Sequence, residues 1–281
     1  MKKILLGLFV ASLTLSVNAQ IQTPQPSPLS KIEQKVGLTD VTVEYSRPGV
    51  KGRKVFGNLV PFGKLWRTGA NKNTMVTFSQ DVTIDGKTLK KGSYAIFTKP
   101  GATSWEVMFY SDTNNWGTPR KWDDSKVALT TTAKVENMPM SIETFTITID
   151  DLTNSSAVLG ILWENTYAGI KFNVPTDKAV EASIESVMAG PAPNDYYAAA
   201  SYYMDEGKDI KKAMMWIDKA VEMTSAKPRF WYLRKQSLIH AKAGDKKGAI
   251  KAAKASLKYA EEAKNADYIK MNKDSLKEWG A

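Results

Sequence analysis

The sequence predicts a two-domain α+β chain: an antiparallel β-sandwich-like domain over residues 31–175, then an α-helical repeat domain over 176–281. Three observations predict it. Apolar residues alternate with polar ones from Lys31 to Val174, the period of a half-buried strand. After Val174-Pro175 the spacing changes to that of helices. Within the helical part, one pattern of small residues recurs 36 positions later.

The strand texture is regular. Val41, Val43 and Tyr45 alternate with Thr42 and Glu44, and Trp105, Val107 and Phe109 with Glu106 and Met108. Phe145, Ile147 and Ile149 alternate with Thr144, Thr146 and Thr148, and Ala168, Ile170, Phe172 and Val174 with Gly169, Lys171 and Asn173. Asp85-Gly86 between Val82–Ile84 and Lys87–Leu89 is a strong two-residue hairpin signal, because both turn positions need positive φ. Short strands separated by Gly, Pro and Asn turns, with no helix between them, favour an antiparallel sandwich or barrel.

Thr176 can cap a helix containing Val180, Ile184 and Val187, which Ala189-Gly190-Pro191-Ala192-Pro193 then ends. Helices are expected at Tyr196–Glu206, Ile210–Met223, Phe230–Ala243, Gly248–Ala263 and Tyr268–Trp279. Ala213 and Ala220 lie seven apart, as do Ala249 and Ser256, and Gly207-Lys208-Asp209 is echoed by Gly244-Asp245-Lys246. The pattern resembles two degenerate tetratricopeptide-type hairpins, a class that recruits protein partners.

Ahead of both domains, Met1–Ala19 has the form of a cleavable secretory signal peptide. Lys2 and Lys3 precede an apolar stretch from Ile4 to Val17, and Val17-Asn18-Ala19 offers small residues to a peptidase, making Gln20 the mature N-terminus. Residues 20–30, with Pro24, Pro26 and Pro28, read as an extended tether. No later run reaches membrane-spanning length, so the processed chain is expected in the periplasm or secreted, not spanning a membrane. The helical C-terminal part lacks a β-type sorting domain, which favours the periplasm.

Composition narrows the chemistry. The chain has no cysteine, which excludes thiol catalysis, iron–sulfur ligation and cysteine zinc sites. One histidine, His240, rules out a histidine metal site and leaves no Ser-His-Asp triad for the β domain. Neither a cofactor nor a metal is expected. The formal charge is +10, spread as 19 Lys/Arg against 15 Asp/Glu over residues 20–178 and 18 against 14 thereafter. With no basic block in an exported chain, nucleic acid is not an expected partner.

Arg47–Asn71 departs from strand texture. It holds Arg47, Lys51, Arg53, Lys54, Lys64 and Arg67 with no acid, in a long connection rich in Gly and Pro. Arginine forks suit carboxylate, phosphate or sulfate, and Trp66 adds a ring beside Arg67. Arg47, Arg53, Trp66, Arg67 and Asn71 are therefore candidate ligands for an anionic small molecule or glycan. The alternative is a loop pinned by arginines paired with neighbouring acids. Trp116 and Trp122, among Asp112, Asn114, Asn115, Asp123 and Asp124, are candidate sugar-stacking residues, with loop packing as the alternative. The acids there lack tight calcium-ligand spacing and suit turns.

Arg47-Pro48, Arg53, Phe56-Gly57, Leu59-Val60-Pro61 and Trp66-Arg67-Thr68-Gly69-Ala70-Asn71 resemble the signature of domain-of-unknown-function family 2911, exported proteins of Bacteroidetes-type bacteria. Gly92–Phe97, Pro100-Gly101 and Trp105 fit the same pattern. The resemblance covers about residues 30–174. It implies a β-rich exported domain, sometimes followed by helical repeats, and implies no activity.

The reading is thus an exported binding module, with the Arg-rich loop for an anionic ligand and the repeats for a protein partner. One alternative is a glycan-active enzyme using a carboxylate pair drawn from Glu106, Glu143, Asp150 and Glu164. The other is a structural or assembly factor of the cell envelope.

Overall fold

The computed structural model describes residues 23–188 and 190–281. Residues 1–19, read from sequence as a signal peptide, and residues 20–22 of the segment read as a tether lie outside the described residues. The chain divides into two compact units, one ending at Pro175 and the other running Thr176–Ala281.

The first unit is a nine-stranded antiparallel sheet ordered β1-β2-β3-β6-β7-β8-β9-β4-β5. The strands are β1 (Leu29–Val36), β2 (Thr39–Ser46), β3 (Ala70–Phe78), β4 (Val82–Ile84), β5 (Lys87–Leu89), β6 (Gly92–Lys99), β7 (Ser104–Tyr110), β8 (Val127–Asp150) and β9 (Ser156–Asn173). β1 opens inside the segment read as tether, because Leu29 already pairs with Ser46. Asp85 and Gly86, both at positive φ, close the β4–β5 hairpin.

Alternation builds the main core. Val41, Val43 and Tyr45 of β2 meet Trp105, Val107 and Phe109 of β7, Phe145 and Ile147 of β8, and Leu159, Ile161 and Trp163 of β9. The long β8 makes this two-layered. Its first part, to Lys134, pairs with β7, and its remainder pairs with β9. Tyr45 closes the layers: its hydroxyl accepts from the Ile147 N–H at 3.1 Å and donates to the Ile147 carbonyl at 3.3 Å.

Where β8 meets β9 the register slips twice, between Asn137 and Ile142 and between Ile142 and Thr146. Extra residues on one strand re-aim the side chains there. Glu143, Thr144 and Phe145 lie in the second slip, and Glu164 opposite has φ of 53°. The Arg-rich loop docks on this irregular stretch.

The second unit is six helices: α1 (Thr176–Val187), α2 (Pro193–Asp205), α3 (Ile210–Met223), α4 (Phe230–Lys242), α5 (Lys246–Glu262) and α6 (Ala266–Glu278). Three begin earlier than apolar spacing alone suggests, because caps and proline set helix starts. Pro193 opens α2, Asp245 accepts from the Gly248 N–H, and Asn265 accepts from the Tyr268 N–H. Gly207 and Gly244 follow α2 and α4 in the left-handed region, where glycine ends a helix without strain. α2 packs on α3 and α4 on α5, with Ala213, Ala220, Ala249 and Ser256 fully buried.

Candidate functional site

The loop between β2 and β3 is held by backbone bonds. The Val50 N–H donates to the Glu143 carbonyl at 2.7 Å, and the Phe145 N–H donates to the Pro48 carbonyl at 2.9 Å. Glu143 Oε1 accepts the Lys51 N–H and Glu164 Oε2 accepts the Val55 N–H. Val55 and Phe56 are then buried, and Phe56 packs on Trp105 at 4.8 Å.

The segment Trp66–Asn71 is a tightly tied turn. Trp66 and Thr98 exchange backbone hydrogen bonds at 2.8 and 2.9 Å, and Trp66 Nε1 donates to the Gly69 carbonyl at 3.1 Å. Thr68 and Asn71 have φ of 56° and 57°, and the Thr74 hydroxyl donates to the Thr68 carbonyl. Gly69, at φ 141°, leaves only 3.1 Å from a would-be Cβ to both the Ser46 carbonyl and Thr74 Oγ1. Non-glycine residues at positive φ need a surrounding structure that enforces them, and they cluster at functional sites.

Together these turns line a cavity of about 370 Å³. Lys51, Arg53 and Arg67 supply its charge, Trp66 and Trp163 its aromatic wall, and Pro26 and Ser27 a further wall. Trp66 and Trp163 stack at 6.0 Å with ring planes 15° apart, and Phe145 meets both edge-on. Among the described residues, no Asp or Glu lines the cavity.

The three arginines behave differently. Arg47 lies outside the lining: its Nε donates to the Phe145 carbonyl at 3.0 Å and its Nη2 to Thr146 Oγ1 at 2.8 Å. It is a clamp on β8. Arg53 bends back over its own turn, with Nε on the Val50 carbonyl at 2.9 Å and Nη2 on the Gly49 carbonyl at 2.7 Å. Among the described residues its Nη1 makes no hydrogen bond, and Arg53 lines the cavity. Arg67 is half-buried, and its Nε is buried with no hydrogen-bond partner among the described residues. Burial pulls its guanidinium below the ordinary arginine value, and no neighbouring acid opposes the shift.

Asn71 also lies outside the lining. Its Nδ2 donates to the Ser27 carbonyl at 3.1 Å and lies 3.3 Å from Ser46 Oγ. Trp116 stands 79% exposed and bridges to Lys72 through backbone. Trp122 stacks on Tyr110 at 4.5 Å and meets Phe97 edge-on at 5.4 Å, in a separate cluster with Ala95 and Met108. Neither tryptophan lines the cavity. Lys51, Trp163, Pro26 and Ser27 join the site although none of them was among the candidate ligands read from sequence. Lys51 sits in the acid-free segment, whereas Trp163 reads as an ordinary strand-core residue.

The family described as Protein of unknown function (DUF2911) matches residues 27–172. The chain belongs to this family. The match runs from the Ser27 wall of the cavity almost to the end of β9, and the helical unit lies beyond it. No curated protein matches the chain, and no solved structure matches it.

Proposed function

We propose that the DUF2911 unit is an exported binding module that takes a small anion, such as a carboxylate or an acidic sugar, in the Lys51/Arg53/Arg67 cavity. Arg67 carries the reading. A half-buried guanidinium with an orphaned Nε, in a cavity lined by cations and no acid, lacks the partner a buried charge requires. A ligand carboxylate, sulfate or phosphate would supply it through paired N–H donors. Trp163 is only 2% exposed, so the wall offers little open ring face for stacking. Recognition then rests on charge, with the rings excluding water and strengthening it.

Glu143 and Glu164 accept backbone N–H groups of the loop, and neither lines the cavity. That use as loop anchors favours binding over a carboxylate-pair glycosidase. The helical unit is read as tetratricopeptide-like hairpins that recruit a protein partner. Its paired helices, its buried small residues and an exposed groove of about 960 Å³ with Met223 and Trp231 in its wall support that role. Among the described residues no helix is long and apolar enough to cross a membrane. Together with the Met1–Ala19 leader this supports periplasmic or secreted placement.

Calorimetric titration with inorganic phosphate, sulfate and glucuronate tests the binding reading. At least one should bind, and Arg67→Ala should abolish it with the fold retained. Equal binding by the wild-type chain and Arg67→Ala, or no binding of any of the three, would refute it.

A further inference from the structure

The walls of the cavity are not equally secured. The loop walls rest on the core through Val55, Phe56 and Val60, all buried. Pro26 and Ser27 come from a segment with no ladder of its own. Pro24, Pro26 and Pro28 have no N–H and hold the backbone extended, so strand pairing starts only at Leu29. Thr23–Pro26 are exposed and Ser27 is half-buried. Two bonds hold the segment at the site: Asn71 Nδ2 to the Ser27 carbonyl at 3.1 Å, and the Arg47 N–H to the Pro28 carbonyl at 2.9 Å. Few buried contacts and a short hydrogen-bonded reach are the properties of an element that opens locally.

The roles of Arg47 and Asn71 then fit together. Both were candidate ligands, and neither lines the cavity. Each spends a polar group on the proline-rich segment instead. The left-handed φ of Asn71 places that side chain at the turn where it can reach both Ser27 and Ser46. Main-chain carbonyls at fixed spacing, Ser27 and Pro28, are what these two residues recognise. The segment is bound as a strap, and the strap is one wall of the site.

Resting on the anion-binding reading above, we infer that Pro26–Ser27 is a specificity-determining wall, positioned by Asn71, that limits the size of the anion the cavity accepts. A compact anion gains from the complete wall, because it is desolvated on that side too. A larger acid carrying a sugar ring has to displace the wall and gains less. Asn71 is a positioning residue in this account, acting through the strap.

The test compares phosphate with glucuronate on three proteins: the chain from Gln20, the chain shortened to begin at Pro28, and Asn71→Gly, which keeps the left-handed backbone and removes the side chain. The ratio of the two Kd values should shift at least tenfold in favour of glucuronate in both altered chains. Hydrogen exchange at the Arg47 amide gives a ligand-free readout and should quicken at least tenfold in Asn71→Gly. Ratios within twofold of the starting chain, or unchanged exchange at Arg47, would overturn the wall. Loss of binding in Arg67→Ala with an intact ratio in Asn71→Gly would leave the anion reading standing and remove this inference alone.

Discussion

The helical unit and the β2–β3 loop of the first unit handle positive charge in opposite ways. In the helical unit, cations clip helices together. Lys208 reaches Asp177 and Glu181, Lys235 reaches Asp205, Lys273 reaches Glu261, and His240 lies between Asp218 and Asp245. In the β2–β3 loop, six cations between Arg47 and Arg67 form no ion pair with any described residue. Two of its arginines satisfy backbone carbonyls, and Arg67 satisfies none among the described residues. A charge spent on a neighbouring acid stabilises a fold. A charge left without one among the described residues, in a cavity walled by tryptophans, is what the proposed anion would pair with.

The largest expected effect tests whether the aromatic wall is structural. Trp163 stacks on Trp66, meets Phe56 and Phe145, and donates from Nε1 to the Glu143 carbonyl at 3.3 Å. Trp163→Ala should cost about 3–5 kcal/mol in denaturant unfolding of the β unit. A loss below about 1 kcal/mol would mean the wall is dispensable to the fold and would blur the contrast with the helical unit.

Arg47 comes next. Arg47→Ala removes two bonds to β8 and should cost about 1–3 kcal/mol. Arg47→Lys should recover little, because one ammonium cannot reproduce the fork that reaches Phe145 and Thr146 together. Full rescue by lysine would show that charge alone, as in the helical unit, secures the loop.

His240 gives the smaller, pH-dependent effect. Burial lowers its pKa, but hydrogen bonds to Asp218 and Asp245, with their charges, outweigh that and raise it above the ordinary value. Both ring nitrogens lie 2.8 Å from a carboxylate oxygen, and the protonated ring, in which both nitrogens donate, satisfies both contacts at once. Because the folded pKa is raised, this stabilisation is fully present below about pH 6.5 and is lost as pH rises through the folded value. Asp245 is lowered, first by the Gly248 N–H and then by His240, so its contribution is present above about pH 3.9 and lost as acid is added. His240 is the chain's one histidine, so its ring resonances can be followed directly by NMR. Protection of the α3–α5 amides, taken relative to their intrinsic exchange at each pH, should fall above the His240 titration point in the wild-type chain and lose that pH dependence in His240→Gln. An unchanged pH profile in the variant would remove the clip.

Much of this was legible from residues. Asp85-Gly86 announced its hairpin, alternation at Val41–Tyr45 and Trp105–Phe109 announced buried faces, and the Ala213/Ala220 and Ala249/Ser256 pairs announced close helix contacts. The acid-free stretch located the cavity. What stayed hidden depended on long-range geometry. Pro26 and Ser27 carry no periodic signal, and Ser27 meets Asn71 across 44 positions of chain. The bulges in β8 have no local sequence cue, yet they place Glu143 and Glu164 under the loop. Trp163 reads as core because alternation reports that a side chain is buried, and a cavity wall is buried too. Trp122 sits in a polar segment, and only the fold reveals that Tyr110 covers it.

Arg67 is held in the fold with its Nε unpartnered among the described residues, and the proposed anion would supply the partner. Arg67→Met tests it most directly, because it keeps length and apolar packing and removes the charge. Without ligand, its stability should match or exceed the wild type, by up to about 1 kcal/mol, since an uncompensated half-buried charge is removed. With phosphate, sulfate or glucuronate at about 100 times Kd, the wild-type chain should gain roughly 2.7 kcal/mol and Arg67→Met nothing. A variant destabilised by more than about 2 kcal/mol without ligand, or one still stabilised by the anion, would contradict the account.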